Sequence, residues 1–310
     1  MCHCARPARA AILPPPPGAS RRRPGTVPEM EIAPADVAGW IGRSETAEDD
    51  ATPLLARRMA GLLDRDAPEA GEVWPHCWIW ALFWPALRHD ATGPDGHAAR
   101  GGFLPPIDLP RRMWGGSRIL VETPIRVGEH VSRRSTITKV AEKSGRTGRL
   151  CFVTVEHRLT AGGAARLTEI QTIAYRGAAG AAAAPAEPGP GPDFEPMWRR
   201  RITPDAVLLY QYSAATFNTH RIHYDHPYAT GVEGYPGLVV HGPLTATMLM
   251  ELLGANLPAA MPRDFQVTAL RPLYAPAPFD LVGRVDGDAF RLLALTGDGH
   301  PAMRIEGTLG

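Results

Sequence analysis

The chain has 310 residues, of which 44% are hydrophobic and 21% charged, and its formal net charge at pH 7 is +1. This composition is typical of a globular protein that can bury a core, and the length favours two domains. The near-neutral balance provides no basic surface for nucleic acid or anionic membrane, and no apolar run reaches the roughly 18 residues of a membrane span. The four cysteines form neither a disulfide framework nor paired zinc ligands, which favours a reducing, cytoplasmic compartment.

Residues 1–29 are predicted to be a disordered extension, because five arginines and the run Pro14–Pro17 occur there with no acidic residue before Glu29. An organellar transit peptide is the alternative, which would make the protein mitochondrial, but the prolines would break the amphipathic helix of such a signal. We favour a natural start at Met30. The segment Cys2–Cys4 could bind a metal ion, although chance is the simpler explanation, and we expect no metal and no cofactor.

The first half begins with helical patterns. Residues 33–63 predict two helices, Ala35–Ile41 and a second one that Thr52 caps with Pro53 at its first position. Residues 73–87 carry aromatic side chains that either fill the core or line an apolar ligand groove. The aromatic residues of this segment are Trp74, Trp78, Trp80, Phe83 and Trp84.

Glycine and proline predict loops at residues 101–106 and 110–117. In the second of these loops, Arg111 and Arg112 either meet an acidic group of a ligand or pair with acidic side chains in solvent. A period of two then predicts a meander of antiparallel strands. The predicted strands are Arg118–Val127, Glu129–Glu142, Gly148–Leu159 and Thr168–Tyr175.

The second half repeats this order of helices and strands. Thr203 is expected to cap a helix with Pro204 at its first position, and Pro243 to open a helix that is apolar nearly all round and therefore buried. The expected buried residues of the two helices are Leu208, Tyr212, Ala215, Leu244, Met248, Leu249, Leu252 and Leu253. The strands predicted to follow are Phe265–Tyr274, Phe279–Val285, Phe290–Thr296 and Met303–Leu309.

A linker rich in Ala, Gly and Pro is predicted at residues 177–194. It separates two predicted domains, at residues 30–176 and 195–310. Both domains combine helical patterns with antiparallel strands, so the predicted fold class is α+β, with a sheet wrapped around a helix.

The second half contains one unusually polar stretch. Residues 217–225 read Phe-Asn-Thr-His-Arg-Ile-His-Tyr-Asp, and residues 240–243 read Val-His-Gly-Pro. The stretch places His220, His223 and His241 near a turn between two predicted helices. A hydrophobic core does not need so many polar groups in so short a segment, whereas a reaction on a substrate does. These residues are the candidate active site.

This stretch resembles the active-site motif of MaoC-like (R)-specific enoyl-CoA hydratases, Asp-x-Asn-Pro-Leu/Ile-His-x-Asp followed by Val-His-Gly. In that alignment Asn218 stands at the catalytic aspartate of the family, His220 at its asparagine and His223 at its catalytic histidine. Asp225 matches the trailing aspartate, and Gly242 matches the helix start. The resemblance implies a double hotdog fold, in which two antiparallel sheets each wrap around a helix as a pseudo-dimer in one chain.

Residues 103–106, 110–114 and 124–128 resemble one branch of this superfamily. The branch contains mesaconyl-C4-CoA and itaconyl-CoA hydratases and mitochondrial-type 3-hydroxyacyl-thioester dehydratases. The resemblance covers about residues 31–176 and 197–310. It implies that the first domain shapes the substrate pocket and has lost catalytic residues of its own.

Roles follow from the resemblance and from side-chain chemistry. His223 is the expected base, since an imidazole titrates near neutral pH, and the amide of Gly242 is expected to hold the thioester oxygen at the positive end of a helix dipole. Because an amide side chain cannot take a proton, Asn218 is expected to orient the water while His223 alone shuttles the proton. The candidate substrate-binding residues are Arg111, Arg112, Trp114, His220, Arg221 and His241, with an internal ion pair to Asp225 favoured for Arg221.

The expected function is the reversible hydration of an α,β-unsaturated acyl-CoA that is short, branched or dicarboxylic, of the mesaconyl- or itaconyl-CoA type. Dehydration of 3-hydroxyacyl-ACP in fatty-acid synthesis is the alternative within the class. A catalytically silent acyl-CoA-binding protein and a thioesterase are alternatives from other classes, although a thioesterase needs an acidic residue that position 218 lacks. We expect an acyl-CoA or acyl-ACP partner, and either a monomeric pseudo-dimer or a homodimer.

Overall fold

The computed structural model describes residues 37, 39–84, 87–145, 148–177 and 191–310. The predicted extension at residues 1–29 and most of the predicted linker lie outside the described residues. The described strands are β1 (Ser44–Asp50), β2 (Arg111–Val121), β3 (His130–Gly145), β4 (Gly148–Ala161), β5 (Ala164–Arg176), β6 (Trp198–Ile202), β7 (Leu238–Val239), β8 (Pro262–Ala269), β9 (Tyr274–Ala275), β10 (Phe279–Asp286), β11 (Ala289–Leu295) and β12 (Pro301–Leu309). The described α-helices are α1 (Pro53–Leu62), α2 (Ala206–Thr216), α3 (His226–Gly231) and α4 (Gly242–Asn256), with 3-10 turns at His76–Ala81, His89–Ala91 and Arg221–His223.

Ten of these strands form one antiparallel sheet in the order β1-β3-β4-β5-β2-β8-β12-β11-β10-β6. The first five come from the first half of the chain and the last five from the second half. The two half-sheets meet edge to edge, where β2 pairs with β8 from Gly116 opposite Thr268 to Leu120 opposite Asp264. Each half-sheet thereby covers an edge of the other that would otherwise expose unpaired backbone groups.

Helix α4 packs on the second half-sheet, against β10, β11 and β12. As predicted, Pro243 lies in its first turn, and its buried residues include Leu244, Met248, Leu249, Leu252 and Leu253. The first half has a shorter counterpart, since α1 and the 3-10 turn His76–Ala81 pack against the same continuous core as α4. The predicted N-terminus of α1 is confirmed, because the Thr52 hydroxyl accepts a hydrogen bond from Leu55 N at 3.1 Å.

Two features of the first half differ from the predictions. Two helices were expected within residues 33–63, the first of which, Ala35–Ile41, lies partly outside the described residues; between them Ser44–Asp50 forms an edge strand that was not predicted, β1, paired in register with β3. Its four acidic residues give it no strand preference of its own, so the neighbouring strand determines its conformation. Residues 111–117 were expected to be a loop, but they belong to β2, which absorbs the two glycines as a register shift between Trp114 and Gly116.

Two details of the second half also differ from the predictions. Asp205, and not Thr203, caps α2, because its carboxylate accepts a hydrogen bond from Leu208 N at 2.8 Å. Strand β6 was not predicted, since its sequence Trp-Arg-Arg-Arg-Ile shows little apolar alternation. Among the described residues, no helix is both long enough and apolar enough to cross a membrane.

Gly116 permits the junction between the half-sheets. Its φ of 128° is a backbone conformation that residues with a side chain rarely adopt, and a Cβ there would overlap the carbonyl oxygen of Val267 on β8.

We expect Gly116→Ala to lower the free energy of unfolding by about 3 kcal/mol or more, because the backbone strain and the steric overlap add. Gly128→Ala is the matched control, since Gly128 has a φ of 98° and open space around it, and it should cost about 1–2 kcal/mol. Urea denaturation measures both, and equal losses would show that the contact with Val267 does not matter.

Candidate active site

The polar motif begins where α2 ends. Phe217 caps the helix in a left-handed conformation with a φ of 47°, and its ring stacks on Trp84 with the centroids 5.5 Å apart. The backbone N–H of Asn218 donates to the carbonyl oxygen of Ser213 at 2.8 Å. The path of the chain into the motif is therefore fixed by the helix on one side and by an aromatic pair on the other.

Asn218 organises the turn that follows. Its Oδ1 accepts a hydrogen bond from the backbone N–H of His220 at 3.0 Å, as asparagine commonly does at turns. The next residues form a single 3-10 turn, and the Arg221 guanidinium pairs with Asp225 at 2.7 Å. The internal ion pair expected for Arg221 is present, while its role in substrate binding stays a prediction.

His223 is buried, with 7% of its surface exposed, and its Nδ1 lies 2.7 Å from the carbonyl oxygen of Val239. A carbonyl oxygen can only accept, so Nδ1 carries the proton of the neutral ring and Nε2 keeps its lone pair. Burial lowers the pKa of His223 to about 4, although the hydrogen bond to Val239 acts in the opposite direction. At pH 7 the side chain is therefore a neutral imidazole that can accept a proton at Nε2.

His241 and His220 lie against His223. The His241 ring stacks on His223 with the centroids 3.7 Å apart, and its Nε2 lies 2.9 Å from Ser213 Oγ. His220 meets His223 edge to face at 5.4 Å. Burial, followed by the neighbouring histidines, lowers the pKa of His241 well below its ordinary value and that of His220 to about 2. Both rings are neutral at pH 7, so the stack carries no net charge.

A segment of the first half completes the site. The loop Gly93–His97 packs against the motif through backbone groups: Arg221 N donates to the Asp95 carbonyl at 2.9 Å, and Thr219 Oγ1 donates to the Gly96 carbonyl at 2.5 Å. Gly96 has a φ of 90°, and a Cβ there would overlap the Thr219 carbonyl. Glycine is therefore required at position 96 for this close approach.

The loop Gly93–His97 carries a histidine–carboxylate pair to the motif. His97 Nδ1 lies 3.1 Å from Asp95 Oδ2, and the His97 ring centroid lies 4.0 Å from that of His220. Burial lowers the pKa of His97, against the opposing effect of Asp95. Burial alone would raise the pKa of Asp95, but the hydrogen bonds from His97 and the positive charge of Arg112 outweigh it and lower that pKa. At pH 7 an ionised carboxylate therefore lies beside a neutral imidazole.

Helix α4 begins at Gly242, and no side chain caps its N-terminus. A Cβ at Gly242 would lie 2.6 Å from Cε3 of Trp114, so the glycine makes room for an indole of the first half. Trp114 Nε1 donates to Ser117 Oγ at 3.2 Å, and this hydroxyl donates to Glu169 Oε1 at 2.6 Å. Trp80 Nε1 donates to the same oxygen at 2.9 Å. The buried carboxylate therefore holds both indoles in place.

The adjacent arginines of β2 have different surroundings. Arg111 is buried, with its Nε 3.0 Å from Glu233 Oε2, and its guanidinium also donates to the Glu233 carbonyl. Arg112 forms no ion pair with any residue that the structure describes, and its positive charge acts on Asp95 and His97. The structure thus places Arg112 near His97, whereas Arg111 forms an ion pair with Glu233. Substrate binding by either residue stays a prediction.

A cavity of about 310 Å³ lies in the first half. Its lining includes Trp80, which meets Trp114 edge to face at 5.6 Å, and Thr216, the last residue of α2. Much of the remaining wall is apolar, with Arg133 and Glu169 among the exceptions. Trp80 therefore links the cavity to the Trp114 ring that covers Gly242 at the N-terminus of α4.

The aromatic residues of segment 73–87 were expected either to fill the core or to line a ligand groove, and the structure shows both. Trp74 and Trp78 are fully buried in the core, whereas Trp80 lines the cavity.

Sequence reasoning missed Asp95, His97 and Glu169. The only local signal for the first two was Asp-Gly-His in a loop rich in glycine and proline, and nothing in the sequence indicated which segment this loop would contact.

One group of side chains in the described part of the chain could hold a metal ion. Asp95, His97 and His220 each offer a ligand atom, and these atoms lie within 4.8 Å of one another. The hydrogen bond between His97 and Asp95 already joins two of the three without an ion. The segment Cys2–Cys4 lies outside the described residues, and the expectation of no metal and no cofactor stays a prediction.

Known proteins resemble this chain over most of its length. Residues 77–275 match the sequence profile of the family described as hydroxyacyl-thioester dehydratase type 2. The mesaconyl-C(4)-CoA hydratase of Chloroflexus aurantiacus is 41% identical over 278 residues, which are 89% of this chain and 99% of that protein.

Two solved structures from Mycobacterium tuberculosis share the fold. HtdX superposes with a TM-score of 0.61 at 21% identity, over 85% of this chain and 98% of its own. A conserved protein described as having a double hotdog fold gives a TM-score of 0.52 at 14% identity, over 87% and 96% of the two chains. The fold and the superfamily branch predicted from the motif are both confirmed: the chain belongs to the hydroxyacyl-thioester dehydratase type 2 family of hydro-lyases and has an α+β double hotdog fold.

Proposed function

We propose that this protein catalyses the reversible addition of water to the double bond of an α,β-unsaturated acyl-CoA. The observation that carries the proposal is the state of His223. Its Nδ1 is committed to the Val239 carbonyl at 2.7 Å, which leaves Nε2 as a proton acceptor near the start of α4. The relationship to a mesaconyl-C(4)-CoA hydratase, at 41% identity over nearly the full length of that protein, supports the same reaction.

The proposed mechanism uses His223 and the N-terminus of α4. His223 Nε2 takes a proton from water as the water oxygen bonds to the β-carbon, and the same proton then passes to the α-carbon. Negative charge develops on the thioester oxygen during this step, and the Gly242 amide at the positive end of the helix stabilises it. The position of Trp114 against Gly242 would place the thioester beside an indole ring.

For the acyl group, we propose a short or branched chain that carries a carboxylate. The cavity beside Trp80 provides room, and Arg112, which lies outside the cavity lining, provides a cation near Asp95 and His97 that has no ion pair among the described residues. A monothioester of an unsaturated dicarboxylic acid would satisfy both. Dehydration of a 3-hydroxyacyl-ACP is the second candidate, favoured by the largely apolar cavity wall and by the family description.

One assay separates the candidate functions. The protein is incubated with crotonyl-, mesaconyl-, itaconyl- and decenoyl-CoA, while enoyl-thioester absorbance and free thiol are followed together. We expect absorbance to fall without thiol release, with mesaconyl-C4-CoA among the best substrates. Thiol release would indicate a thioesterase. Binding without either change would indicate an acyl-CoA-binding protein, and either result would refute the hydratase proposal.

Replacing His223 by asparagine tests its role as base. Asparagine keeps an N–H that can donate to Val239 but removes the acceptor at Nε2, so we expect His223→Asn to lower kcat by roughly 10²–10⁴-fold with little loss of stability. His226→Asn is the matched control, because His226 is exposed three residues away, and it should keep wild-type kcat. Near-normal kcat in His223→Asn would contradict the assignment.

Asn218→Ala, measured alongside, should lower kcat less than His223→Asn if Asn218 only orients the water.

The pH dependence follows from the lowered pKa of His223. The reaction needs the neutral ring, and because burial lowers that pKa to about 4 from 6.5, we expect kcat/KM to stay flat well below pH 6.5. Between these two values the unfolded chain binds a proton that the folded protein does not, so stability falls as the pH falls. Rates should therefore be measured only where circular dichroism shows the native fold. An acid limb centred near 6.5 would indicate that His223 is exposed to water during catalysis.

The proposed role of Arg112 predicts a selective loss. Mesaconyl-C4-CoA and 3-methylcrotonyl-CoA differ in one carboxylate that a methyl group replaces. A charged hydrogen bond contributes about 1.5–3 kcal/mol, so Arg112→Met should lower kcat/KM for the first substrate by about 10–100-fold and leave the second nearly unchanged. Arg57→Met, on the exposed face of α1, should affect neither. Equal losses on both substrates would argue that Arg112 supports the fold and does not recognise a carboxylate.

A further inference from the structure

We propose that His97, held by Asp95, is a further catalytic residue, whose Nε2 accepts a hydrogen bond from the water that adds to the substrate. The proposal rests on the hydratase function proposed above and identifies which groups hold the water. It assigns a chemical role to the loop Gly93–His97 of the first half, a domain that the sequence predicted to have lost catalysis.

A water molecule that is held in one direction needs more than one hydrogen-bond acceptor. A water molecule has two O–H groups, and His223 Nε2 can accept from only one of them. Asn218 Oδ1 already accepts from His220 N at 3.0 Å, which engages one of its two lone pairs and ties the amide oxygen to the turn. A second acceptor, which would fix the direction of the water lone pair, is available from the first half, because the His97 ring reaches this group of histidines.

His97 has the required free nitrogen. A carboxylate only accepts, so the 3.1 Å contact with Asp95 Oδ2 places the proton of the neutral ring on Nδ1 and leaves the Nε2 lone pair free. No described residue hydrogen-bonds to that Nε2. The centroid of the His97 ring lies 4.0 Å from that of His220, and the His220 centroid lies 5.4 Å from that of His223. The three imidazoles therefore form one group, in which His97 and His223 each have a nitrogen that can accept a hydrogen bond.

The way in which the loop is anchored separates a structural role from a catalytic one. The hydrogen bonds that dock it on the motif end on the carbonyls of Pro94, Asp95 and Gly96, which accept from Arg221 and Thr219. None of these hydrogen bonds uses the His97 imidazole, which meets the motif through its ring contact with His220. Bracing the motif through these hydrogen bonds would not need the free Nε2 of His97, whereas delivering an acceptor to the water would.

The step is balanced with His97 as an acceptor only. The water oxygen bonds to the β-carbon, one water proton moves to His223 Nε2, and His223 then gives this proton to the α-carbon. The other proton stays on oxygen, where it is shared with His97 Nε2 and becomes the hydroxyl proton of the product. Asp95 is a positioning residue in this scheme, because it selects the tautomer of His97 and does not touch the water.

The test compares two replacements of His97 in the full-length protein. His97→Asn retains an N–H for Asp95 but has no group at the position of Nε2, whereas His97→Gln places an amide there. With mesaconyl-C4-CoA we expect His97→Asn to lower kcat about 100-fold at similar KM and unchanged melting temperature. His97→Gln should retain at least about tenfold more activity than His97→Asn. Asp95→Asn should fall between them and alter the pH profile, because it disturbs the tautomer.

The controls separate this proposal from its alternatives. His89→Asn changes an exposed histidine of the same segment and should keep wild-type rates. If the wild type hydrates the substrate and His223→Asn does not, but His97→Asn is fully active, the proposal is wrong while the hydratase function stands. Equal losses in His97→Asn and His97→Gln with a lowered melting temperature would mean a structural role. A loss in His220→Asn alone would assign the second acceptor to His220.

Metal analysis provides the remaining check. Because Asp95, His97 and His220 could share an ion, the purified protein should be assayed before and after dialysis against EDTA, and again after addition of Zn²⁺. We expect no change in kcat. Loss of activity on dialysis with recovery on Zn²⁺ would overturn the proposal, since the His97 ring would then be a ligand and not a free acceptor.

Discussion

The pairing of β2 with β8 is the contact on which the candidate site depends. It joins two half-sheets into one sheet of ten strands, and it requires a glycine at position 116, where β8 leaves no room for a side chain. The same strand carries Trp114 to the N-terminus of α4 and places Arg112 near the histidines. A shift of β2 by one residue would turn both side chains to the opposite face of the sheet. The register of this pair therefore determines which groups of the first half meet the motif of the second.

Burial gives the histidine group its chemical state. His220, His223 and His241 lie in contact and would repel one another if charged, and their removal from water lowers the pKa of each. The Val239 carbonyl then selects the tautomer of His223 by accepting from Nδ1. A neutral imidazole with a defined free nitrogen results from this packing, and a proton acceptor that works at neutral pH needs such a state.

Both halves of the double hotdog contribute residues to the candidate site, although different kinds of residue. The second half supplies His223, Asn218 and the start of α4, and the first supplies the loop Gly93–His97, the two indoles and the cavity. The first half reaches the candidate site through the loop that it presents to the second half. Asn218 stands where the resembling motif has a carboxylate, and the structure places the carboxylate of Asp95 against His97, whose ring contacts His220.

The sequence by itself determined the elements that depend on local pattern. It predicted the capped start of α1, the buried helix that opens at Pro243, most strands of the meander and the histidine motif, because periodicity, capping and turn chemistry act over a few residues. It did not predict β1, whose acidic sequence forms a strand only because β3 lies beside it. It also missed Asp95 and His97, since their position against His220 depends on how a distant loop docks. Only the tertiary structure decided those contacts, because non-local packing brings together groups that no sequence period connects.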